Sequence, residues 1–318
     1  MTRLWITRPL PEAVLQAARR LDVDLVVRAE TAPLEAAEVR AALTDFDVVL
    51  PTLGDVFSAE VFADVATPRC RLLANFGVGF NHIDVAAART AGMAVTNTPG
   101  AVTDATADIA VMLMLMSARR AGEGERMVRA GAWPGWHPTQ MLGLHMSGKR
   151  VGIVGLGRIG QAIARRCHFG FGMEVHYVSR SEKSLAFPVT RAPDLVALAG
   201  AVDFLVVAVP GGAETRHLID AAVFEAMQPH AHLVNIARGD VVDEAALVQA
   251  LGTGQIAGAG LDVYEFEPDV PKALCAMEQV TLLPHLGTAA REVRVDMGLM
   301  AVANVAAFLR GEALPNPV

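Results

Sequence analysis

The feature that most constrains the fold is a glycine-rich turn near the middle of the chain. The apolar run Val151–Val154 leads directly into Gly155, Gly157 and Gly160, and the helical sequence 161–166 follows at once. Gly155 permits a tight turn, Gly157 lets backbone approach a pyrophosphate, and Gly160 lets the helix pack closely on the strand. We therefore expect a strand–turn–helix unit whose helix N-terminus binds the phosphates of a dinucleotide. The alternative is an ordinary tight turn, which the strand and helix on either side disfavour.

Short apolar strands alternate with amphipathic helical segments along most of the chain. The 318 residues, 53% of them hydrophobic, suffice for two domains of ordinary size. Strand–helix alternation is typical of parallel sheets that are covered by helices on both faces. The predicted strands are Leu4–Thr7, Leu25–Arg28, Val48–Pro51, Leu72–Asn75, Ala94–Asn97, Arg150–Val154, Glu174–Val178, Phe204–Val209, Leu233–Ile236, Ala259–Asp262 and Val280–Leu283. The sequence thus predicts an α/β protein with two doubly wound parallel-sheet domains.

The two sets of strands define the expected domain boundaries. The first domain comprises residues 1–99 with residues 288–318, because the helix predicted over Thr288–Leu309 has no strand partner and returns to the first sheet. The second domain comprises residues 100–287. Within it, residues 121–147 are rich in glycine and proline, and we expect them to form an arm that grips a second subunit.

Composition excludes several classes of function. The net charge is −7 with no basic block, so we expect no nucleic acid and no anionic membrane surface as partner. The three cysteines are odd in number and widely spaced, which argues against disulfides or a cysteine metal site and fits a reducing cytoplasm. The apolar run Ile109–Ala118 is too short to span a bilayer and is expected to be a buried helix. On this helix, Met112, Met114 and Met116 should fill space in the hydrophobic core of the domain.

The strand after the glycine turn indicates which dinucleotide is bound. A site for NAD usually ends this strand with an acid that binds the ribose 2′-hydroxyl. Here Ser179 and Arg180 occupy the positions 19 and 20 residues after Gly160 (179−160 and 180−160). A guanidinium can bind a 2′-phosphate, whereas a carboxylate would repel it. The sequence therefore favours NADP, with NAD as the weaker alternative, over a merely solvated loop arginine.

Polar side chains follow three later strands of the second domain. Arg238, Glu267 and His285 come after strands whose carboxyl ends share one edge of the sheet, where ligands bind in open α/β folds. Singly, each has an ordinary explanation as a turn brace, a solvated acid or a loop histidine. Together, beside a hydride donor, they form the set that carbonyl reduction requires. We therefore predict that all three are catalytic.

Several ordered motifs carry a resemblance over nearly the whole chain. They are Asn75–Asp84 (NFGVGFNHID), Thr106–Ala110 (TADIA), the glycine turn, Asn235–Asp240 (NIARGD), Leu261–Pro268 (LDVYEFEP) and Pro284–Thr288 (PHLGT). The chain resembles the D-isomer-specific 2-hydroxyacid dehydrogenases, most closely the glyoxylate/hydroxypyruvate reductase branch. The resemblance implies a flavodoxin-like substrate domain, a Rossmann dinucleotide-binding domain, a cleft between them, and a homodimer.

The resemblance also implies roles for named residues. His285 protonates the nascent alkoxide, and Glu267 orients His285 and favours its protonated form. Arg238 binds the substrate carboxylate and polarises the keto oxygen, while the backbone N–H groups of Val78 and Gly79 bind the same carboxylate. The implied cofactor-binding residues are Thr106, Gly155, Gly157, Arg158, Ile159, Gly160, Ser179, Arg180, Pro210, Thr215, Ala237, Asp262 and Gly287. Of these, Thr106 and the Arg158–Ile159 backbone face the pyrophosphate, and Asp262 binds the nicotinamide carboxamide.

The chain departs from the family's pattern at a few positions. Residues 211–215, after Pro210, are smaller than in many relatives, which leaves the adenine contacts open, and Thr288 stands where many relatives carry serine. The residues expected to line the substrate pocket are Leu53, Gly54, Phe76 and Met297. They do not rank glyoxylate, hydroxypyruvate or an arylpyruvate.

Four alternatives to glyoxylate or hydroxypyruvate reduction remain. The same scaffold serves arylpyruvate reductases, formate or phosphite oxidisers, phosphoglycerate dehydrogenases and dinucleotide-sensing corepressors. Glu267 disfavours formate, because the resemblance gives formate oxidisers a glutamine beside the histidine. Phosphoglycerate dehydrogenases usually carry a C-terminal regulatory domain, and the corepressor class carries long tails. The sequence up to Val318 shows neither feature, so both classes are disfavoured.

Overall fold

The computed structural model describes residues 1–318, which form two compact units. Unit 1 comprises Met1–Val102 with Ala289–Val318, and unit 2 comprises Thr103–Thr288. The boundaries therefore fall after Val102 and Thr288, where the sequence suggested residues 99 and 287. Both units are α/β, and the predicted fold class is confirmed.

Unit 1 is built on a sheet of five parallel strands in the order β2-β1-β3-β4-β5, the flavodoxin-like order. The strands are β1 Thr2–Ile6, β2 Val23–Val27, β3 Val48–Leu50, β4 Leu72–Ala74 and β5 Ala94–Thr96. The helices between them are α1 Glu12–Arg19, α2 Ala36–Asp45, α3 Ala59–Asp64 and α4 Val85–Thr90. All residues of β3 and β4 are buried, because helices cover both faces of a parallel sheet.

Unit 2 is built on seven parallel strands in the order β12-β11-β10-β9-β6-β7-β8. The strands are β6 Arg150–Val154, β7 Glu174–Val178, β8 Thr190–Arg191, β9 Phe204–Val207, β10 His232–Asn235, β11 Gly258–Leu261 and β12 Val280–Leu282. The helices are α5 Thr103–Ala118, α6 Ala121–Arg129, α7 Arg158–Phe171, α8 Leu195–Ala201, α9 Ala221–Ala226, α10 Glu244–Gly252 and α11 Lys272–Ala276. The strand order reverses direction between β6 and β9, so the glycine turn after β6 lies at the switch point where ligands bind.

The last helix, α12 (Arg291–Leu309), belongs to unit 1 as expected, although it begins three residues later than predicted (291−288). It packs against α1, where a side chain at Gly298 would collide with Val14. Residues after it continue unit 1, because Val318 donates its backbone N–H to the carbonyl of Val95 at 3.0 Å.

One expectation for unit 2 needs correction, and two elements were not predicted. Of the three methionines on α5, only Met114 is fully buried, since Met112 and Met116 lie on the half-buried side of the helix. The predicted arm begins as a regular helix, α6, before the irregular segment 130–147. The short strand β8 is missing from the prediction because two exposed residues carry no strand pattern. No helix combines the length and the apolar character needed to cross a membrane.

Candidate active site

The glycine turn after β6 forms a cradle that fits a dinucleotide pyrophosphate. Gly155 has φ +95°, and a Cβ there would lie 2.8 Å from Cγ1 of Val209. A Cβ at Gly160 would overlap the carbonyl oxygen of Gly155, so helix and strand pack as closely as expected. Gly157 caps α7 with no side-chain hydrogen bond and has open space beside it. The first N–H groups of α7, including those of Arg158 and Ile159, are therefore available to an anion.

The loop after β7 is where the 2′-end of the dinucleotide is expected. The Ser179 hydroxyl donates to the carbonyl of Ser181, and the Arg180 side chain is 90% exposed. Arg180 lies 3.8 Å from the equally exposed carboxylate of Glu214. A second cation, which sequence reasoning missed, lies here as well, because Arg191 on β8 donates to the carbonyl of Ser179 at 3.1 Å. No acidic residue ends β7.

His285 and Glu267 form a histidine–carboxylate pair. Nδ1 of His285 lies 2.8 Å from Oε2 of Glu267, and the other carboxylate oxygen accepts the backbone N–H of Tyr264 at 3.0 Å. Burial opposes ionisation of this carboxyl. The bond from His285 and the positive charges of His285 and Arg238 outweigh burial and hold the pKa of Glu267 below its ordinary value. Glu267 is therefore an anion at neutral pH, and it fixes the orientation of the imidazole.

Asp262 holds the segment that carries His285. This side chain is 1% exposed, and its two oxygens accept the backbone N–H groups of Leu286 at 2.6 Å and Gly287 at 2.7 Å. His285 itself has φ +55° and donates its N–H to the carbonyl of Asp262 at 2.9 Å. Burial raises the pKa of Asp262, and the two N–H bonds oppose that rise. Asp262 thus positions the segment that carries His285, a contact that the sequence did not reveal, and its predicted contact with the nicotinamide stays a prediction.

Thr106 and Gly287 complete this segment. The Thr106 hydroxyl donates to the carbonyl of Gly287 at 3.1 Å. Its contact with the pyrophosphate stays a prediction. A Cβ at Gly287 would lie 3.2 Å from the Asp262 carboxylate. These two residues therefore fix the backbone that follows His285.

Arg238 is positioned by the turn after β10. Asn235, the last residue of the strand, donates its Nδ2 to the carbonyl of Arg238 at 2.9 Å and accepts the N–H of Ala237 at 3.0 Å. The aliphatic part of Arg238 packs on Gly211, where a Cβ would come within 2.6 Å. Burial lowers the pKa of Arg238, with the negative charges of Glu267 and Asp240 opposing it, and a guanidinium remains charged in this environment.

The remaining candidates in unit 2 are less constrained. The Thr215 hydroxyl donates to the carbonyls of Pro210 at 2.8 Å and Gly212 at 3.1 Å, which closes the short loop after β9. A second histidine–carboxylate pair was missed: Nε2 of His217 lies 2.9 Å from Oε1 of Glu265, two residues before Glu267. The sequence does not reveal this pair, because only Glu265 lies in the segment that follows β11, whereas His217 lies far from it along the chain.

In unit 1, the loop after β4 presents the backbone donors predicted for a carboxylate. The N–H groups of Val78 and Gly79 donate to no group of the protein. Of the residues expected to line the substrate pocket, Phe76 and Met297 are buried in unit 1, whereas Leu53 and Gly54 are half-buried.

Comparison with known proteins identifies the class of protein that this fold and site define. The NAD binding domain of the D-isomer specific 2-hydroxyacid dehydrogenases matches residues 111–287, and the chain belongs to that family. Within the family it falls in the glyoxylate reductase branch. The glyoxylate reductase of Pyrococcus furiosus is 41% identical over 322 residues, which cover 99% of this chain and 95% of the relative.

Two solved structures extend the similarity to the fold of the whole chain. A Thermus thermophilus protein is 39% identical with a TM-score of 0.92, and the match covers 100% of both chains. The NADPH-dependent glyoxylate/hydroxypyruvate reductase of Sinorhizobium meliloti, solved with NADP and malonate, is 37% identical with a TM-score of 0.88. That match covers 100% of this chain and 96% of the relative. The chain is thus an oxidoreductase with a nicotinamide dinucleotide domain.

The two glutamates of the 265–267 segment allow a matched test of the pair. Glu267→Gln removes the charge beside His285, so we expect kcat to fall about tenfold to a hundredfold. The control is Glu265→Gln, which changes the partner of His217 and should leave kcat nearly unchanged. Equal losses of kcat in the two variants, measured by steady-state kinetics, would contradict the assignment.

Proposed function

We propose that this chain is an NADPH-dependent reductase of a small 2-oxo acid of the glyoxylate or hydroxypyruvate type, with a D-2-hydroxy acid as product. The observation that carries the proposal is the His285–Glu267 pair at 2.8 Å, held on the same sheet edge as the glycine cradle. Nε2 of His285 makes no hydrogen bond within the protein and is therefore available to a substrate oxygen.

The chemistry divides between a bound dinucleotide and the protein's own side chains. The reduced dinucleotide, when bound, supplies the hydride that adds to the keto carbon. His285 as imidazolium donates the proton at Nε2 to the keto oxygen, and Glu267 stabilises the positive charge until the proton is transferred. Arg238 polarises the same oxygen and neutralises developing negative charge.

The substrate carboxylate is the second recognition element. The guanidinium of Arg238 can bind a carboxylate through two parallel N–H groups. The N–H groups of Val78 and Gly79 supply two further donors, which favour binding of an anionic ligand over a neutral one. From carboxylate recognition by these residues we expect a preference for 2-oxo acids over simple aldehydes and ketones.

A panel of 2-oxo acids assayed for NADPH consumption tests this function. The values of kcat/KM for glyoxylate, hydroxypyruvate, pyruvate and phenylpyruvate distinguish a reductase of small 2-oxo acids from an arylpyruvate reductase. His285→Ala should cut kcat for the best substrate by about a hundredfold or more, because the general acid is lost. The dissociation constant for NADPH should be nearly unchanged. Turnover of none of these acids by the parent, or full activity of the folded variant, would refute the proposal.

Preference for NADPH is supported by the residues after β7. The strand lacks a terminal acid, and Arg180 and Arg191 place two cations within reach of the Ser179–Ser181 loop. The reductase from Sinorhizobium meliloti, which is NADPH-dependent, belongs to the same fold. Glu214 is the opposing influence, because its carboxylate pairs with Arg180 and would repel a phosphate.

Two substitutions of opposite sign test the cofactor preference. Arg180→Ala should lower the ratio of kcat/KM for NADPH over NADH by about tenfold or more, since a charge-assisted bond is lost. Glu214→Gln should raise the same ratio, by a smaller factor because both side chains are solvated. Added salt should reduce both effects. A ratio near one in the parent, or no change in Arg180→Ala, would show that this loop does not bind the 2′-phosphate.

We also propose that the chain acts as a homodimer joined through the predicted arm. The irregular segment exposes large apolar side chains, with Trp136 at 79% and Leu142 at 68% accessible, and such surface favours burial against a partner. A solution mass of a single chain, measured by light scattering, would contradict this assembly.

A further inference from the structure

Two buried asparagines of unit 1 hold every carbonyl of the loop Gly77–Gly79. Asn75, fully buried directly after β4, donates its Nδ2 to the carbonyl of Gly77 at 3.1 Å and of Gly79 at 2.9 Å. Asn97, directly after β5, donates its Nδ2 to the carbonyl of Val78 at 2.9 Å. Three consecutive carbonyls are therefore bound by two side chains from adjacent strand ends.

The orientation of the Asn75 amide is set by its surroundings. Its Nδ2 faces two carbonyl oxygens, so this end of the amide must carry the hydrogens. Its Oδ1 lies 3.0 Å from Nε2 of His82 and accepts the hydrogen of that ring nitrogen. An oxygen in the place of Nδ2 would face two carbonyl oxygens at close range, which is repulsive.

Binding of the carbonyls fixes the direction of the N–H groups. In a trans peptide the C=O of one residue and the N–H of the next point to opposite sides. The Gly77 carbonyl accepts a hydrogen bond from Asn75 and another from the backbone N–H of Thr98 at 3.0 Å, so the N–H of Val78 points away from both donors. When Asn97 binds the Val78 carbonyl, the N–H of Gly79 is likewise turned outward. Both outward N–H groups lack a partner in the protein.

We propose that Asn75 and Asn97 are positioning residues that aim the Val78 and Gly79 N–H groups at the substrate carboxylate and so determine affinity for 2-oxo acids. This inference rests on the proposed function, because it assigns the loop to carboxylate binding. Neither asparagine contacts the substrate. They keep the two N–H donors aligned before the substrate binds, so the entropy cost of ordering the loop does not reduce the binding affinity.

The test compares Asn75→Asp with the parent. The substitution keeps the shape of the side chain and replaces the donor with an oxygen that repels both carbonyls. We expect KM for glyoxylate and Ki for oxalate, an unreactive carboxylate, to rise together by about tenfold to a hundredfold, as expected for weakened bonds to a charged group. The expected change in kcat is less than about threefold, and the dissociation constant for NADPH should stay the same, because the proton donor and the glycine cradle belong to unit 2.

Leu43→Ala is the control for stability. Leu43 on α2 is also fully buried in the core of unit 1, and its side chain contributes no hydrogen bond to the Gly77–Gly79 loop or to the asparagines that hold it. This variant should lose stability without a change in KM or Ki. A rise in KM equal to that of Asn75→Asp would reduce the effect to general destabilisation and overturn the proposal.

Asn97→Ser keeps the proposal testable if Asn75→Asp fails to fold. It removes only the bond to the Val78 carbonyl, and KM and Ki should rise about tenfold. Parent values of KM and Ki in the folded variants would overturn the inference and leave the proposed function intact. A parent enzyme that reduces no 2-oxo acid would overturn the proposed function, and the inference with it.

Discussion

The candidate site in unit 2 depends on one buried carboxylate. Asp262 is almost inaccessible to solvent, yet both of its oxygens are bound by consecutive backbone N–H groups, those of Leu286 and Gly287. An unpaired carboxylate in this place would cost several kcal/mol. Movement of residues 285–287 away from Asp262 is therefore unfavourable, because it would leave the carboxylate without its hydrogen bonds. His285 directly precedes the two bound groups and adopts a left-handed backbone conformation that few side chains tolerate. The Asp262 interaction therefore maintains a strained residue at the position of the proposed proton donor.

The parallel sheet explains why the other groups lie on the same edge. Arg238 follows β10, Asp262 follows β11, and His285 follows β12. In a parallel sheet all of these strands end on one side, which is also where the glycine turn after β6 begins α7. The fold thus brings an arginine, a carboxylate and a histidine to the edge that binds a dinucleotide, and only short loops are needed to adjust their distances.

Much of this could be predicted from the sequence, because the decisive residues lie at strand ends. Apolar strands and the glycine turn are local patterns, and they gave the fold class and the edge on which the site lies. Arg191, His217 and the backbone contacts of Asp262 escaped prediction for a physical reason. Each acts through a hydrogen bond to a residue at least twelve positions away along the chain (191−179 for the nearest), and no local pattern encodes that pairing. The asparagines Asn75 and Asn97 were concealed in the same way, since their partners are backbone carbonyls and carry no side-chain signature.

We propose that the imidazole of His285 supplies the proton for carbonyl reduction, and chemical rescue examines this step. His285→Gly removes the ring and leaves a space in the Asp262-bound segment, and free imidazole is added to the assay with NADPH and glyoxylate. We expect imidazole to restore turnover, and the restored rate should fall as pH rises and the added imidazole loses its proton. Parent-like turnover by His285→Gly without imidazole, or rescue that increases with the neutral form of imidazole, would contradict it.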